Sequence, residues 1–304
     1  MAERIAILGA GAIGLFYGAR LALSGQDVHF LVRSELEAVR SRGITLQSKE
    51  GSETLSPVQV HSTAESIGPA DLVFVTLKAT ANDQLAQLLP PLLGPQTAVV
   101  TLQNGLGNEE VLARWVDRGQ ILGGLCFIAC MRVAPGVVNC LHRGSITLGE
   151  YDRPASNRTR HVAALLEQAG VPCRCVDSLA EARWRKLVWN IPFNGLSVAA
   201  GGITTDVICA DPDLAAEVRA LMEEVRTAAH ALGYDVPAAF VQKQFDVTPP
   251  MGPYQPSSLV DFKAGRPLEV EAIWGEPLRR AAAAGVATPR LALLHALLRR
   301  LTKV

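Results

Sequence analysis

The first fourteen residues restrict the fold more than any other stretch of the chain. Arg4-Ile-Ala-Ile-Leu8 is a short apolar, β-favouring run, and Gly9-Ala-Gly11-Ala-Ile-Gly14 follows it directly. A helical pattern comes next (Leu15, Phe16, Ala19, Leu21, Ala22, Leu23), ended by Gly25, and then a second strand-like run, Asp27-Val-His-Phe-Leu-Val32. Strand, glycine turn, helix and strand inside about thirty residues is the context in which three spaced glycines carry meaning. There Gly9 permits the tight turn, Gly11 lets a pyrophosphate approach the backbone, and Gly14 lets the helix pack closely on the strand. The free amides at the helix start would bind the phosphates. The chain is therefore expected to begin as a Rossmann-type, doubly wound α/β domain that binds a dinucleotide.

The end of the second strand bears on which dinucleotide. An acidic residue holding a ribose 2′-hydroxyl is expected about 20 positions on, but Arg33 stands 19 residues after Gly14, with Ser34 behind it. A guanidinium suits a 2′-phosphate, so the cofactor is read as NADP(H). The alternative is a surface arginine leading into a helix capped by Ser34-x-x-Glu37. Two further buried runs, Leu72–Thr76 and Thr97–Leu102, lead into Leu77-Lys78-Ala79 and Gln103-Asn104-Gly105. Both lie at strand C-terminal ends, where open α/β sheets bind ligands. Lys78 suits a cofactor phosphate or a solvated loop; Asn104 suits an amide aimed at nicotinamide or substrate, or a plain Asn-Gly turn. Residues 81–93 read as a helix closed by Pro90-Pro91. Residues 121–150 read as strands around a Pro135-Gly136 turn, 157–169 as an amphipathic helix, and 171–176 as a last strand. After Asp177 only helical stretches follow, at 178–199, 212–232, 237–245, 257–264, 268–284 and 289–303. The expected domains are thus 1–177, α/β and NADP(H)-binding, and 178–304, all-α and substrate-binding.

The polar row in the first of those late helices is the second informative feature. Lys186, Asn190 and Asn194 recur every fourth residue and share one helix face. The residues between them (Leu187, Val188, Trp189, Ile191, Phe193) are apolar, so the helix is expected to be buried nearly all round. Ser178 and Glu181 read as its capping box, and Pro192 as a kink or a gap in its hydrogen bonds. A cation and two amides in apolar surroundings suit an anionic substrate that carries a carbonyl; the alternative is a solvated lysine and two amides bonded to local backbone. Further on, Ser257 after Pro256 reads as a helix cap, and Pro267 opens the next helix, with Glu269 and Glu271 early in it.

Composition narrows the partners. Lys+Arg and Asp+Glu number 29 each in 304 residues, so no net field favours nucleic acid or an anionic membrane surface. No run approaches the ~20 apolar residues of a membrane span, and the N-terminus lacks signal-peptide architecture, so the reading is cytoplasmic. The six cysteines are expected to be reduced core thiols. The six histidines are scattered without ligand spacing, so no metal is expected. The leucine stripe of the last helix (Leu291, Leu293, Leu294, Leu297, Leu298, Leu301) fits packing on its own domain, the default, or on a second copy in a homodimer.

Taken together, these motifs resemble the ketopantoate reductase (2-dehydropantoate 2-reductase) family. The resemblance runs through Gly9-Ala-Gly11-Ala-Ile-Gly14, Phe30-Leu-Val-Arg33, Val75-Thr-Leu-Lys78 and Gln103-Asn104-Gly105. It continues in Trp184-Arg-Lys186-Leu-Val-Trp-Asn190-Ile-Pro-Phe-Asn194, Pro256-Ser257 through Asp261, and Ala264-Gly-Arg-Pro-Leu-Glu269. It implies that Gly9, Gly11 and Gly14 cradle the pyrophosphate and that Arg33 and Lys78 contact the 2′-phosphoadenosine end of NADPH. It also implies that Lys186 protonates the ketone during hydride transfer, that Asn104, Asn190, Asn194 and Ser257 position the substrate, and that Glu269 completes the site. Asn104 and Glu269 would adjoin the cofactor as well. The implied reaction is NADPH-dependent reduction of 2-dehydropantoate to pantoate, for pantothenate and coenzyme A synthesis. The chemistry agrees: hydride addition to a 2-keto acid builds negative charge on oxygen, which a cationic donor stabilises and protonates. Gly195, where a proline is frequent, and Ser258-Leu-Val-Asp261 depart from the family pattern and bear on which 2-keto acid is used. The alternatives are a paralogous reductase of another 2-keto acid and a non-catalytic NADP(H)-binding sensor. A sensor would be expected to have a degraded row.

Overall fold

The computed structural model of the chain describes residues 2–302, the side chain of Arg143 excepted. These residues form two compact units. One runs to Gln103 and resumes over Asn108–Leu179; the other comprises Asn104–Gly107 and the chain from Ala180 onward.

The first unit is doubly wound α/β. It opens with β1 (Arg4–Leu8), α1 (Ala12–Leu23), β2 (Asp27–Leu31) and α2 (Leu36–Arg42). A stretch without a clear sequence signal then supplies β3 (Ile44–Ser48), β4 (Gly51–Leu55) and the short edge strand β5 (Gln59–His61). The buried runs become β6 (Leu72–Val75) and β7 (Ala98–Thr101). Between them the expected helix is instead a 3₁₀ turn (Ala79–Gln84), a four-residue α3 (Leu85–Leu88) and a second 3₁₀ turn at Pro90–Leu92, since proline cannot supply the N–H that a continuing helix needs. After α4 (Asn108–Leu112) come β8 (Ile121–Ala134) and β9 (Val137–Glu150), two long strands joined at Gly136 rather than several short ones. α5 (Asn157–Gln168) and β10 (Cys173–Cys175) close the unit.

Among the described residues ten strands make one mixed sheet, ordered β4-β3-β9-β8-β7-β6-β1-β2-β5, with β10 on β9. The β5-β2-β1-β6-β7-β8 part is parallel throughout, so both its faces must be covered and its strands are apolar on both. Ile5, Ile7, Leu72 and Phe74 pack with Leu15, Phe16 and Leu166 on one face. Ala6, Leu8, Val73 and Val75 pack with Leu85, Leu92 and Leu112 on the other.

Two expectations are corrected here. Cys130 and Cys140 are not free thiols: they face each other in the β8–β9 register, with Cα atoms 4.2 Å apart, and form a disulfide. Ser34 does not cap α2. The helix starts at Leu36, and Glu35 accepts from the Gly136 N–H (3.1 Å) and pairs with Arg132 (2.6 Å).

The second unit is all-α: α6 (Leu179–Ala199), α7 (Thr205–Ala210), α8 (Pro212–Ala231), α9 (Ala238–Asp246), α10 (Ser257–Lys263), a π turn at Glu271–Gly275, α11 (Glu276–Ala283) and α12 (Pro289–Thr302). The core is built on α6: Trp184, Leu187, Val188, Ile191 and Phe193 are each at most 1% exposed, and they pack with Leu221, Met222, Val225 and Trp274. Pro192 does not break α6; the buried Trp274 indole donates to the Ile191 carbonyl in that turn (3.0 Å). On α12, Leu291, Leu294 and Leu298 are buried, while Leu293, Leu297 and Leu301 lie on the surface. No helix among the described residues is long and apolar enough to cross a membrane.

Candidate active site

The nucleotide-facing candidates sit in the first unit. Gly9 has φ +115°, and its carbonyl accepts from Thr76 Oγ1 (2.7 Å), which also bonds the Leu8 carbonyl (3.0 Å). A Cβ at Gly14 would lie 1.9 Å from the Gly9 oxygen and 2.5 Å from Thr76 Oγ1, so only glycine lets α1 start this close to β1. A Cβ at Gly11 would meet no atom within 4 Å. The first turn of α1 carries no acidic residue, and no side chain caps it. The N-terminal amides of a twelve-residue helix, with room beside Gly11, fit a pyrophosphate.

Arg33 is exposed just beyond β2. The acids that follow it are engaged elsewhere, Glu35 with Arg132 and Glu37 with Arg40 (2.6 Å each). Lys78 is exposed at the start of the 3₁₀ turn. A polar chain holds that turn against the end of β7. Asn82 donates to Asn108 (3.1 Å) and accepts from Gln103 Nε2 (2.7 Å), and Thr101 Oγ1 donates to Gln103 Oε1 (3.0 Å).

The remaining candidates lie in the second unit. Lys186 Nζ donates to Asn104 Oδ1 at 2.8 Å, joining residues 82 positions apart. Asn190, 8% exposed, follows one turn along α6. Asn194 is buried, and its Oδ1 accepts from the Ser258 N–H (2.9 Å) and from Ser257 Oγ (3.3 Å). Asn194 therefore supplies the cap that the sequence assigned to Ser257; Ser257 itself is exposed, in the first turn of α10 behind Pro256. Glu269 is 5% exposed just before the π turn. So Lys186 and Asn104 are brought together, as are Asn194 and Ser257.

Aromatic side chains flank the row. Trp189 packs on Phe193 (ring centroids 5.0 Å) and against the edge of Tyr254 (6.1 Å), while its indole donates to Thr248 Oγ1 (2.9 Å). Burial pushes the Tyr254 phenol above its usual range. Asp261 pairs with Arg266 (2.9 Å) and closes the turn after α10, a structural use of two residues of the shared motif. The sequence reading missed Arg183. It is 4% exposed, precedes Lys186 by three residues on the same face, and donates to the Gly105 carbonyl (3.3 Å). Its spacing within the row was the available signal. Among the described residues no group of three or more His, Cys, Asp or Glu is arranged to hold a metal.

Comparison with known proteins places this geometry among relatives. The family model described as Ketopantoate reductase PanE/ApbA matches residues 5–153, and the one described as Ketopantoate reductase PanE/ApbA C terminal matches 178–302. The 2-dehydropantoate 2-reductase of Nostoc sp. is 41% identical over 298 residues, covering 96% of this chain and 93% of the relative. A crystal structure of 2-dehydropantoate 2-reductase from Geobacter metallireducens superposes with TM-score 0.95 at 44% identity, covering 98% of this chain and 99% of the other. A D-mandelate dehydrogenase solved with NADH and anilino(oxo)acetate shares the fold (TM-score 0.89) at 21% identity, over 99% and 98% of the two chains.

Proposed function

The chain belongs to the ketopantoate reductase family of oxidoreductases acting on CH–OH groups, and from that premise we propose that it reduces 2-dehydropantoate to pantoate with NADPH. The observation that carries the reading is the Lys186–Asn104 contact: a lysine beside the buried apolar side chains of α6, oriented by a carboxamide oxygen at 2.8 Å. When bound, the reduced nicotinamide supplies a hydride to the ketone carbon.

The side chains of this protein do the rest. As hydride arrives, the C=O π pair moves onto oxygen, and the Lys186 ammonium donates a proton there, giving the hydroxyl. Asn104 accepts one of the three Nζ hydrogens and so leaves the others directed away from itself. Asn190, Asn194 and Ser257 hold the substrate's carboxylate and hydroxyl end, Asn194 acting largely through Ser257. Glu269, a buried carboxylate on the second unit, completes the site. Arg33 and Lys78 meet the 2′-phosphoadenosine end, and the engagement of Glu35 and Glu37 with other cations supports the choice of NADPH. Gly9, Gly11 and Gly14 shape the pyrophosphate seat.

The test is NADPH oxidation with 2-dehydropantoate and a panel of other 2-keto acids. Preference for another acid would move the chain to a paralogous reductase with the same proton donor. Tight NADPH binding with no turnover on any acid would favour a sensor.

A further inference from the structure

The peptide joining Gly105 to Leu106 is held at both of its polar ends. Its N–H donates to the Ala272 carbonyl (2.9 Å), and its C=O accepts from Arg183 Nη1 (3.3 Å). The Ala272 carbonyl is available for a local reason. In the π turn the Glu276 N–H reaches back to Glu271 instead of Ala272. The next residue, Pro277, has no N–H to offer. The approach is close as well: Gly105 has φ +82°, and a Cβ there would lie 2.2 Å from the Ala272 oxygen. Leu106, 4% exposed, is anchored in the core beside Trp184 and Leu187.

Gly105, at φ +82°, links that held peptide to Asn104, whose carboxamide oxygen accepts from Lys186 Nζ at 2.8 Å. Among the described residues, Arg183 is the side chain that reaches this peptide plane by a polar bond. A guanidinium this buried is costly unless its N–H groups are taken up, so its place on the reactive face calls for a use. We propose that Arg183 is a positioning residue for the reduction, holding Asn104 against Lys186 through the Gly105 carbonyl. The reaction role rests on the function proposed above; the clamp itself does not.

The experiment is a double-mutant cycle in the full-length protein, with hydrogen exchange read in parallel. Arg183→Met, Arg183→Lys and Asn104→Ala are compared with wild type by kcat/KM per folded molecule, together with the two double variants. A positioning role predicts a loss of about 100-fold for R183M and about 10-fold for R183K, typical of a catalytic group displaced by an ångström. It also predicts that adding either change to N104A costs less than about threefold more. Losses that multiply across the cycle would overturn the proposal, because a general loss of integrity is blind to whether Asn104 is present. Exchange at the Leu106 amide should quicken about tenfold or more in R183M and less in R183K, without substrate or cofactor. Unchanged exchange in both would overturn the clamp. If R183M does not fold, R183K supports both comparisons. A wild type that turns over no 2-keto acid would remove the proposed function, and the exchange result would still decide the clamp.

Discussion

In the proposed reaction the chemistry turns on Lys186. Its Nζ is placed by Asn104 at 2.8 Å beside the buried apolar side chains of α6, so removing it takes away the proposed proton donor. Lys186→Ala should lower kcat/KM for the keto acid by about 10²–10⁴-fold, the range for a general acid, while NADPH affinity stays near wild type. Equal loss of cofactor binding would mean that Lys186 holds the nucleotide instead. At the other end of the cofactor, Arg33→Asp should weaken NADPH about 10–100-fold, the loss of a charge-assisted contact to a phosphate. NADH affinity should hold or improve, and fluorescence titration of both nucleotides would show it. An unchanged preference would assign the 2′-phosphate to other residues. The sequence announced these residues because each breaks a local rule: a cation at the head of an apolar run, a basic residue where an acid is expected. Asn194 was less legible. Spacing put it on the reactive face, but only the fold brings Ser258 to it across 64 residues.

Between elements, the Asn194–α10 contact has a measurable cost. Removing the side chain that caps α10 should destabilise the second unit by about 0.5–2 kcal/mol, the range for a lost N-cap. Asn194→Ala should therefore melt earlier and also raise KM, since Ser257 is held by the same oxygen. A raised KM with an unshifted melting temperature would make Asn194 a direct substrate contact only. The β2–β5 edge carries a pH-dependent contact. His29 Nδ1 lies 2.9 Å from His61 Nε2, His29 Nε2 lies 3.2 Å from Asp27, and His61 Nδ1 lies 3.1 Å from Ser66. Burial first, then the His29 and Arg4 charges, pushes the His61 pKa below its ordinary value. A histidine with a lowered folded-state pKa favours the fold above the unfolded value, about 6.5, and that contribution fades as pH falls below it. Melting temperature should therefore fall between about pH 7.5 and pH 5.5, and His61→Gln should flatten the slope. Equal slopes would show that His61 binds its proton alike in the folded and the unfolded chain. The parallel strands and the long helices were legible because their periods are sustained. The 3₁₀ turns, the β3–β4 hairpin and the Cys130–Cys140 pairing were not, since they depend on register and on proline placement that no period reveals.

Over the whole chain, composition and motif order gave the architecture, and the structure added what only distant contacts can. That Asn104–Gly107 belongs with the helices follows from an accident invisible along the chain: Pro277 and the π turn free one carbonyl, and Gly105 fits it. Local pattern names which residues carry chemistry, whereas long-range packing decides which of them touch substrate and which hold others in place. A cofactor that binds only the folded state adds stability by mass action, about 2.7 kcal/mol at a hundredfold excess over Kd. NADPH should accordingly raise the melting temperature more than equimolar NADH, and equal shifts would contradict the reading of Arg33. The proposed function makes this chain a 2-keto acid reductase whose proton comes from Lys186. Steady-state NADPH oxidation with 2-dehydropantoate, wild type beside Lys186→Ala, tests it most directly. Turnover should favour 2-dehydropantoate over other 2-keto acids and fall by about two or more orders of magnitude in the variant. Comparable rates in the two proteins, or no keto-acid-dependent oxidation by a wild type that binds NADPH tightly, would contradict it.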